Sequence, residues 1–303
     1  MRKRNEGGTR AICATLLLCA ALSFAGCETA ADVAVMERAA LSPLPEASDT
    51  AKRKTAPVYI DSMLYARAYV MDGKLFVQPK ALCAYLGCDM SWKQSGKKLT
   101  LTLPGVLLTA DSSLPYMTAN GRYLYEPEGW LTEDGELYLP VDALERLFGV
   151  TAKARKDGGL DISTEGYSML TGGDDYYELN FPGTDLFWLT QIISAEAKYQ
   201  PLAGMIGVGN VVLNRVASDK FPNTVFEVIY DTQGVVQFEP VSNGSIKAEI
   251  EEGSDAYIAA CLCLEGYNTV DDCLFFYNPD CGNQWFDSTR ELVLIIGDHN
   301  FYR

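Results

Sequence analysis

Histidine is nearly missing from this chain: His299 is the only one in 303 residues. Zinc hydrolase sites built on two or three imidazoles are therefore excluded, and at most one histidine-based triad could exist. Basic charge is scarce as well. With 25 Lys plus Arg against 40 Asp plus Glu the formal charge is -15, and no basic patch interrupts it. Such a body repels phosphate backbones, so no nucleic-acid partner is expected. No C-x-x-C pair occurs and the cysteine spacings fit no common zinc module, so neither a metal nor another cofactor is expected. Long apolar runs are missing too: Ala11 to Phe24 gives 14 residues, whereas a bilayer-spanning helix needs ~20. What remains is a composition 48% hydrophobic and 21% charged, able to bury one or two ordinary cores.

Arg2, Lys3, Arg4 and Arg10 precede the short apolar run, and Ala25, Gly26 and Cys27 follow it. That order predicts a secretory signal over residues 1–26, whose removal, at a net +3, takes the formal charge from -15 to -18. Ser23 to Cys27 (SFAGC) resembles the bacterial lipoprotein box, with Phe24 where Leu is usual. The resemblance implies lipidation at Cys27 and a membrane partner through it, on the outer face of the cytoplasmic membrane; a plain signal-peptidase cut is the alternative. Residues 27–55, rich in Ala, Ser, Pro and Thr, read as a lipidated flexible tether. Outside the cytoplasm, disulfides are permitted. Six cysteines remain, Cys83, Cys88, Cys261, Cys263, Cys273 and Cys281, and their pairing is open. Cys261 and Cys263 stand two apart on one expected helix and face different ways. Cys273 and Cys281 could close a small loop as a possible disulfide, with buried free thiols as the alternative.

A repeat precedes the chemistry. Gly73 to Gly87 (GKLFVQPKALCAYLG) returns 62 residues later as Gly135 to Gly149 (GELYLPVDALERLFG), with five identities in fifteen positions and no gap. Each unit reads as a turn, an apolar strand, a short helix closed by glycine, and a hairpin. The pattern resembles the copper amine oxidase N-terminal-like domain, and residues 56–164 are expected to hold two copies of this small α+β module, serving as stalk or weak binder. The region has no histidine, so the family name implies no copper here. Residues 165–176, polar and Gly-rich, are expected to be a linker.

From residue 177 the pattern turns helical. Thr184 or Asp185 can cap a helix in which Leu186, Leu189 and Ile193 recur at three and four, and Glu196 is next in that series. A carboxylate on an apolar stripe has its charged form disfavoured, which suits a general acid; a buried pair with Arg215 would explain it as well. Asn210 and Asn214 share a helix face and suggest a core hydrogen-bond pair. Gly204, Gly207 and Gly209 in one helix imply close packing.

Ile193 to Val216 (ISAEAKYQPLAGMIGVGNVVLNRV), Phe221 to Thr224 (FPNT), Val228 to Tyr230, Gln237 to Val241 (QFEPV), Phe276 to Pro279 (FYNP) and Ile296 to Tyr302 (IGDHNFY) together resemble the SleB-type cell-wall hydrolases, the spore cortex-lytic enzymes. The resemblance implies an α+β chain whose residues 177–303 form a mostly helical, lysozyme-like domain related to lytic transglycosylases. Its partner would be the glycan strands of peptidoglycan, cut with no cofactor, in an extracytoplasmic, membrane-anchored or spore-associated setting. The catalytic acid falls on Glu196. The family's second acidic residue, four positions on, is Gln200 here. Gln237, Phe238, Tyr277, Asn278 and Trp285 are implied as substrate-binding residues, while Asp231, Glu239, Asp280 and Asp287 are the acids a hydrolase proper could recruit. Two rival readings are a cysteine peptidase or amidase using His299, and a silent wall-binding lipoprotein.

Overall fold

Strand and helix signals alternate along the first half of the chain, and a computed structural model turns them into a mixed α+β architecture. The structure describes residues 54–173, 183–231, 238, 246, 251–279 and 289–303. The first half contains β1 (Thr55–Ile60), β2 (Met63–Met71), β3 (Lys74–Val77), α1 (Pro79–Leu86), β4 (Ser91–Ser95), β5 (Lys98–Leu103), β6 (Val106–Asp111), β7 (Tyr116–Ala119) and β8 (Arg122–Tyr125). It continues with β9 (Leu131–Glu133), β10 (Glu136–Pro140), α2 (Val141–Phe148), β11 (Thr151–Ala154) and β12 (Leu160–Ser163). Seven strands form one sheet in the order β11-β12-β1-β2-β3-β10-β9, and β4 to β8 form a sequential antiparallel meander.

The meander follows from period-two patterning. In β5 the leucines Leu99, Leu101 and Leu103 are buried while the residues between them are exposed, and β6 alternates in the same way through Val106, Leu108 and Ala110. One face therefore meets the core and the other meets water.

Both repeat units are visible in the fold. Each runs strand, helix, left-handed glycine, hairpin, and Gly87 (φ 68°) and Gly149 (φ 58°) close α1 and α2 in a conformation that a side chain rarely tolerates. The copies are interlocked rather than strung in series. β3 pairs antiparallel with β10, Val77 opposite Leu139 and Phe76 opposite Pro140. The first hairpin, β4–β5, enters the meander and the second, β11–β12, enters the larger sheet. Leu82, Leu99, Leu144 and Ile162 then belong to one shared core.

The expected linker is held down over its described part. Ser168 N–H donates to the Phe148 carbonyl (3.0 Å), Leu170 N–H to Leu147 (3.1 Å) and Gly173 N–H to Asn120 (2.8 Å), and the Leu170 side chain is buried. A Cβ on Gly149 would lie 2.5 Å from the Ser168 carbonyl oxygen, so this strap needs glycine there for space as well as for φ.

The second half supplies α3 (Gly183–Ala197), α4 (Leu202–Val216), α5 (Val225–Ile229) and α6 (Asp255–Leu264), then β13 (Phe275–Tyr277), β14 (Leu292–Ile296) and β15 (His299–Tyr302), a sheet ordered β13-β15-β14. Helices α3, α4 and α6 pack on one another around Leu189, Ile193, Val208, Val212 and Leu262. Tyr116, Tyr123 and Tyr125 of the meander rest on this second core. Beside them Arg122 makes a bidentate ion pair with Glu265, at 2.7 and 2.6 Å, just past the end of α6. Arg146 of α2 donates to the Glu265 carbonyl (2.7 Å) and lies 4.0 Å over the Tyr267 ring. The repeat module is thus fastened to the helical part through buried and part-buried polar contacts.

Among the described residues no helix is long and apolar enough to cross a membrane. Cys27, the candidate lipid site, lies outside them.

Candidate active site

Helix α3 places Glu196 in its last turn. Leu189, Ile192 and Ile193 occupy the same face at helical spacing and are fully buried, and Glu196, seven residues after Leu189, stands half-buried where that stripe reaches the helix end. As a residue Glu196 is thus neither fully buried nor fully exposed, a setting compatible with a general acid.

Gln200 accounts for the departure at the fourth position after Glu196. Its Oε1 accepts from Asp298 N–H (2.9 Å) and its Nε2 donates to the Asp298 carboxylate (3.2 Å), so the amide locks the α3–α4 turn to the turn between β14 and β15. A Cβ on Gly297 would fall 2.3 Å from that Oε1. A glutamate in the same place could accept from the backbone but would face Asp298 as a like charge. The residue does structural work here that only an amide can do.

The glycine-rich helix α4 lies against its neighbours at close range. A Cβ on Gly207 would be 2.8 Å from Phe301 Cζ and from Val270 Cγ1, and one on Gly209 would be 2.7 Å from Cys263 Sγ. Close packing explains these two glycines. Asn210 and Asn214 do not pair with each other. Asn210 donates to the Tyr267 carbonyl (2.8 Å) and accepts from Thr269 N–H (3.0 Å), while Asn214 donates to the carbonyls of Asp271 (2.8 Å) and Cys273 (2.9 Å). Arg215 Nε adds a bond to Leu274 O (2.8 Å). One face of α4 thereby fixes the segment that leads into β13.

Arg215 is 4% exposed and is surrounded by the rings of Phe221, Phe238 and Phe275 at 5.0 to 5.4 Å. Burial and the neighbouring Arg290 pull its pKa down to about 10, against the pull of Asp231, so it stays cationic at neutral pH. It braces the aromatic core and β13, in place of the Glu196 partnership its position in the sequence allowed.

Of the substrate-binding candidates, Tyr277 is half-buried and stacks on Tyr302 with centroids 5.6 Å apart, and Asn278 beside it is half-buried. Phe238 is 2% exposed and packs beside Phe276. Gln237 and Trp285 lie outside the described residues, as do Glu239, Asp280 and Asp287. Cys273 is a buried free thiol, and Cys281, its suggested disulfide partner, also lies outside them.

His299 is buried, its ring 5.2 Å from that of Phe276, and burial lowers its pKa below the usual imidazole value despite Asp298 next to it. It is held neutral in an aromatic wall. Burial also raises the thiols of Cys83 and Cys263, and that of Cys273 to about 11, which keeps these groups from serving as thiolate nucleophiles at neutral pH. Among the described residues no cluster of three or more His, Cys, Asp or Glu could hold a metal ion.

The chain is similar to known proteins in two regions. Residues 199–302 match the Cell Wall Hydrolase family model. Over these residues the chain is similar to cell wall hydrolases. The match begins at Tyr199, just past the end of α3, and a single match to the copper amine oxidase N-terminal domain spans residues 59–159, across both repeat units. The spore cortex-lytic enzyme of Oceanobacillus iheyensis is 29% identical over 156 residues, covering 48% of this chain and 55% of that protein. That of Bacillus subtilis is 28% identical over 150 residues, covering 50% and 43%. The chain spans about half the length of these relatives. The catalytic domain of the germination-specific lytic transglycosylase SleB from Bacillus anthracis is 29% identical, covering 41% of this chain and 97% of that one at a TM-score of 0.37.

The sequence did not announce Gln200–Asp298, Arg122–Glu265 or the buried Glu126. Each joins or isolates residues far apart in the chain, and no local period marks such a group.

Proposed function

We propose that this protein cleaves the glycan strands of peptidoglycan as a lytic transglycosylase, with Glu196 as its single catalytic acid and base. The observation that carries the reading is half-buried Glu196 at the end of the buried face of α3, three residues before the stretch that matches the Cell Wall Hydrolase family model. Glu196 protonates the glycosidic oxygen as the bond to the anomeric carbon breaks. The resulting carboxylate then takes the proton from the C6 hydroxyl of the same sugar as that oxygen attacks the anomeric carbon. The product is a 1,6-anhydro end, and no water is consumed. An inverting or retaining hydrolase needs a second carboxylate ~5 to 9.5 Å away; the amide at Gln200, already committed to Asp298, supports the one-acid route.

Tyr277 and Asn278, with Gln237 and Trp285, are the residues proposed to hold the sugars. In the proposed division of the chain, residues 177–303 carry the chemistry and residues 56–164 contribute reach and support. Lipidation at Cys27 would hold the protein outside the cytoplasm, at the membrane or with the spore; a Cys27→Ser variant found in the medium supports this, and one still in washed membranes contradicts it. The test of the activity is Glu196→Gln on purified peptidoglycan. Loss of general acid–base catalysis is expected to slow cleavage by about 10² to 10⁴, and a variant keeping more than about a tenth of the rate would remove Glu196 from the role.

A further inference from the structure

The first repeat unit holds a pair of cysteines that the second lacks. Helix α1 ends on Gly87 at φ 68°, ψ 34°, and Cys88 N–H donates to the Cys83 carbonyl at 3.0 Å. This six-residue closure of a helix characteristically brings the side chains at its two outer positions into contact. Here both are cysteine. Cys83 is a buried free thiol and Cys88 a half-buried one, and hydrogen bonding to Cys88 adds to burial in pushing the Cys83 thiol up. At the equivalent positions of the second unit stand Glu145 and Val150, where Glu145 Oε1 accepts from Ala152 N–H (2.6 Å). The same turn is therefore secured there by a hydrogen bond.

We propose that Cys83 and Cys88 form a reversible disulfide that staples the end of α1 in the first repeat unit. The more accessible partner reacts first. Cys88, as thiolate, attacks one sulfur of a small-molecule disulfide and expels one thiol, leaving a mixed disulfide. Cys83 then gives up its proton to solvent as its sulfur attacks Cys88 Sγ, and the second thiol is expelled and takes up a proton. Two protein thiols are oxidised by two electrons and the reagent is reduced to two thiols, so atoms and electrons balance. The location gives the bond a consequence: α1 carries the chain from β3 in the seven-stranded sheet to β4 in the meander. Closing the staple fixes the turn where the chain crosses between sheets. The remaining described cysteines, Cys261, Cys263 and Cys273, are buried in the helical part, which leaves Cys88 as the described thiol most open to a reagent. None of this depends on the glycan chemistry.

The test uses the full chain, folded, incubated with oxidised glutathione, then blocked with N-ethylmaleimide and digested with trypsin. Residues Ala81 to Lys93 form one tryptic peptide containing both cysteines. The expected peptide carries no label and is lighter by two hydrogen atoms; after dithiothreitol it takes up two maleimides. A peptide carrying glutathione or maleimide after oxidation would overturn the proposal. As a second readout, oxidation should raise the thermal midpoint of the wild type and leave that of Cys88→Ser unchanged. A similar rise in Cys88→Ser would assign the effect to other cysteines and overturn the staple.

Discussion

Arg122 and Glu265, 143 residues apart in sequence, meet in a bidentate ion pair whose side chains are only 10% and 2% exposed. The pair lies where the aromatic face of the meander covers α6, and α6 in turn packs on α3, the helix that carries Glu196. Support from the repeat module therefore reaches the candidate acid through two layers of packing.

Removing Arg122 takes both short hydrogen bonds from the buried Glu265 carboxylate and leaves Arg146, 3.9 Å away, to offset part of its charge. Arg122→Ala is expected to cost about 3 to 5 kcal/mol of stability, and the double variant Arg122→Met with Glu265→Leu should recover most of it. Urea unfolding of the three proteins checks this. A loss under ~1 kcal/mol would mean that the contact is incidental. By the same reasoning residues 177–303 alone, without Arg122 and Arg146 beside Glu265 and with α6 uncovered, should melt below the full chain.

Replacing Gln200 by Glu sets a second carboxylate against Asp298 and removes the amide donor. Stability at neutral pH should fall by about 0.5 to 1.5 kcal/mol. The deficit should shrink below pH ~4, where carboxylates ordinarily take up protons. Thermal midpoints at both pH values decide it, and equal midpoints at neutral pH would contradict the structural role given to the amide.

Glu126 is 1% exposed, and neither of its carboxyl oxygens has a hydrogen-bond partner. Burial, with Asp142 and Glu128 nearby, raises its pKa from 4.5 to about 8, against the pull of Lys74 and Arg146. As pH rises the unfolded chain loses this proton first, so the contribution is full below pH 4.5, declines between 4.5 and about 8, and is level above. The decline should total roughly 3 to 5 kcal/mol, at about 1.4 kcal/mol per pH unit. Glu126→Gln mimics the protonated acid and should remove that slope. Unfolding free energies at pH 5 and pH 8 give the comparison; an unchanged difference between them in the variant would contradict the assignment.

Much of the local structure was legible in the residues. The repeat from Gly73 and from Gly135 foretold strand, helix, glycine cap and hairpin correctly in both units, because each depends on neighbours in sequence. What the pattern could not tell was that the two units would exchange hairpins between sheets and share one core, since pairing between β3 and β10 is a long-range choice. The apolar period through Leu189 and Ile193 placed Glu196 on the right face of α3. It could not reveal that Asn210 and Asn214 would each turn to the backbone of the 267–274 segment, or that Phe238 would be packed inside. Those outcomes are set by tertiary contacts, which a motif records without explaining.

The most direct measurement is mass spectrometry of the soluble fragments released from purified peptidoglycan by the wild-type chain and by Glu196→Gln. A single acid at Glu196 should yield fragments ending in 1,6-anhydro sugars from the wild type and essentially none from the variant. Reducing ends from the wild type would mean that water attacks and a second carboxylate takes part, and free stem peptides would replace glycan cleavage with an amide-cleaving chemistry.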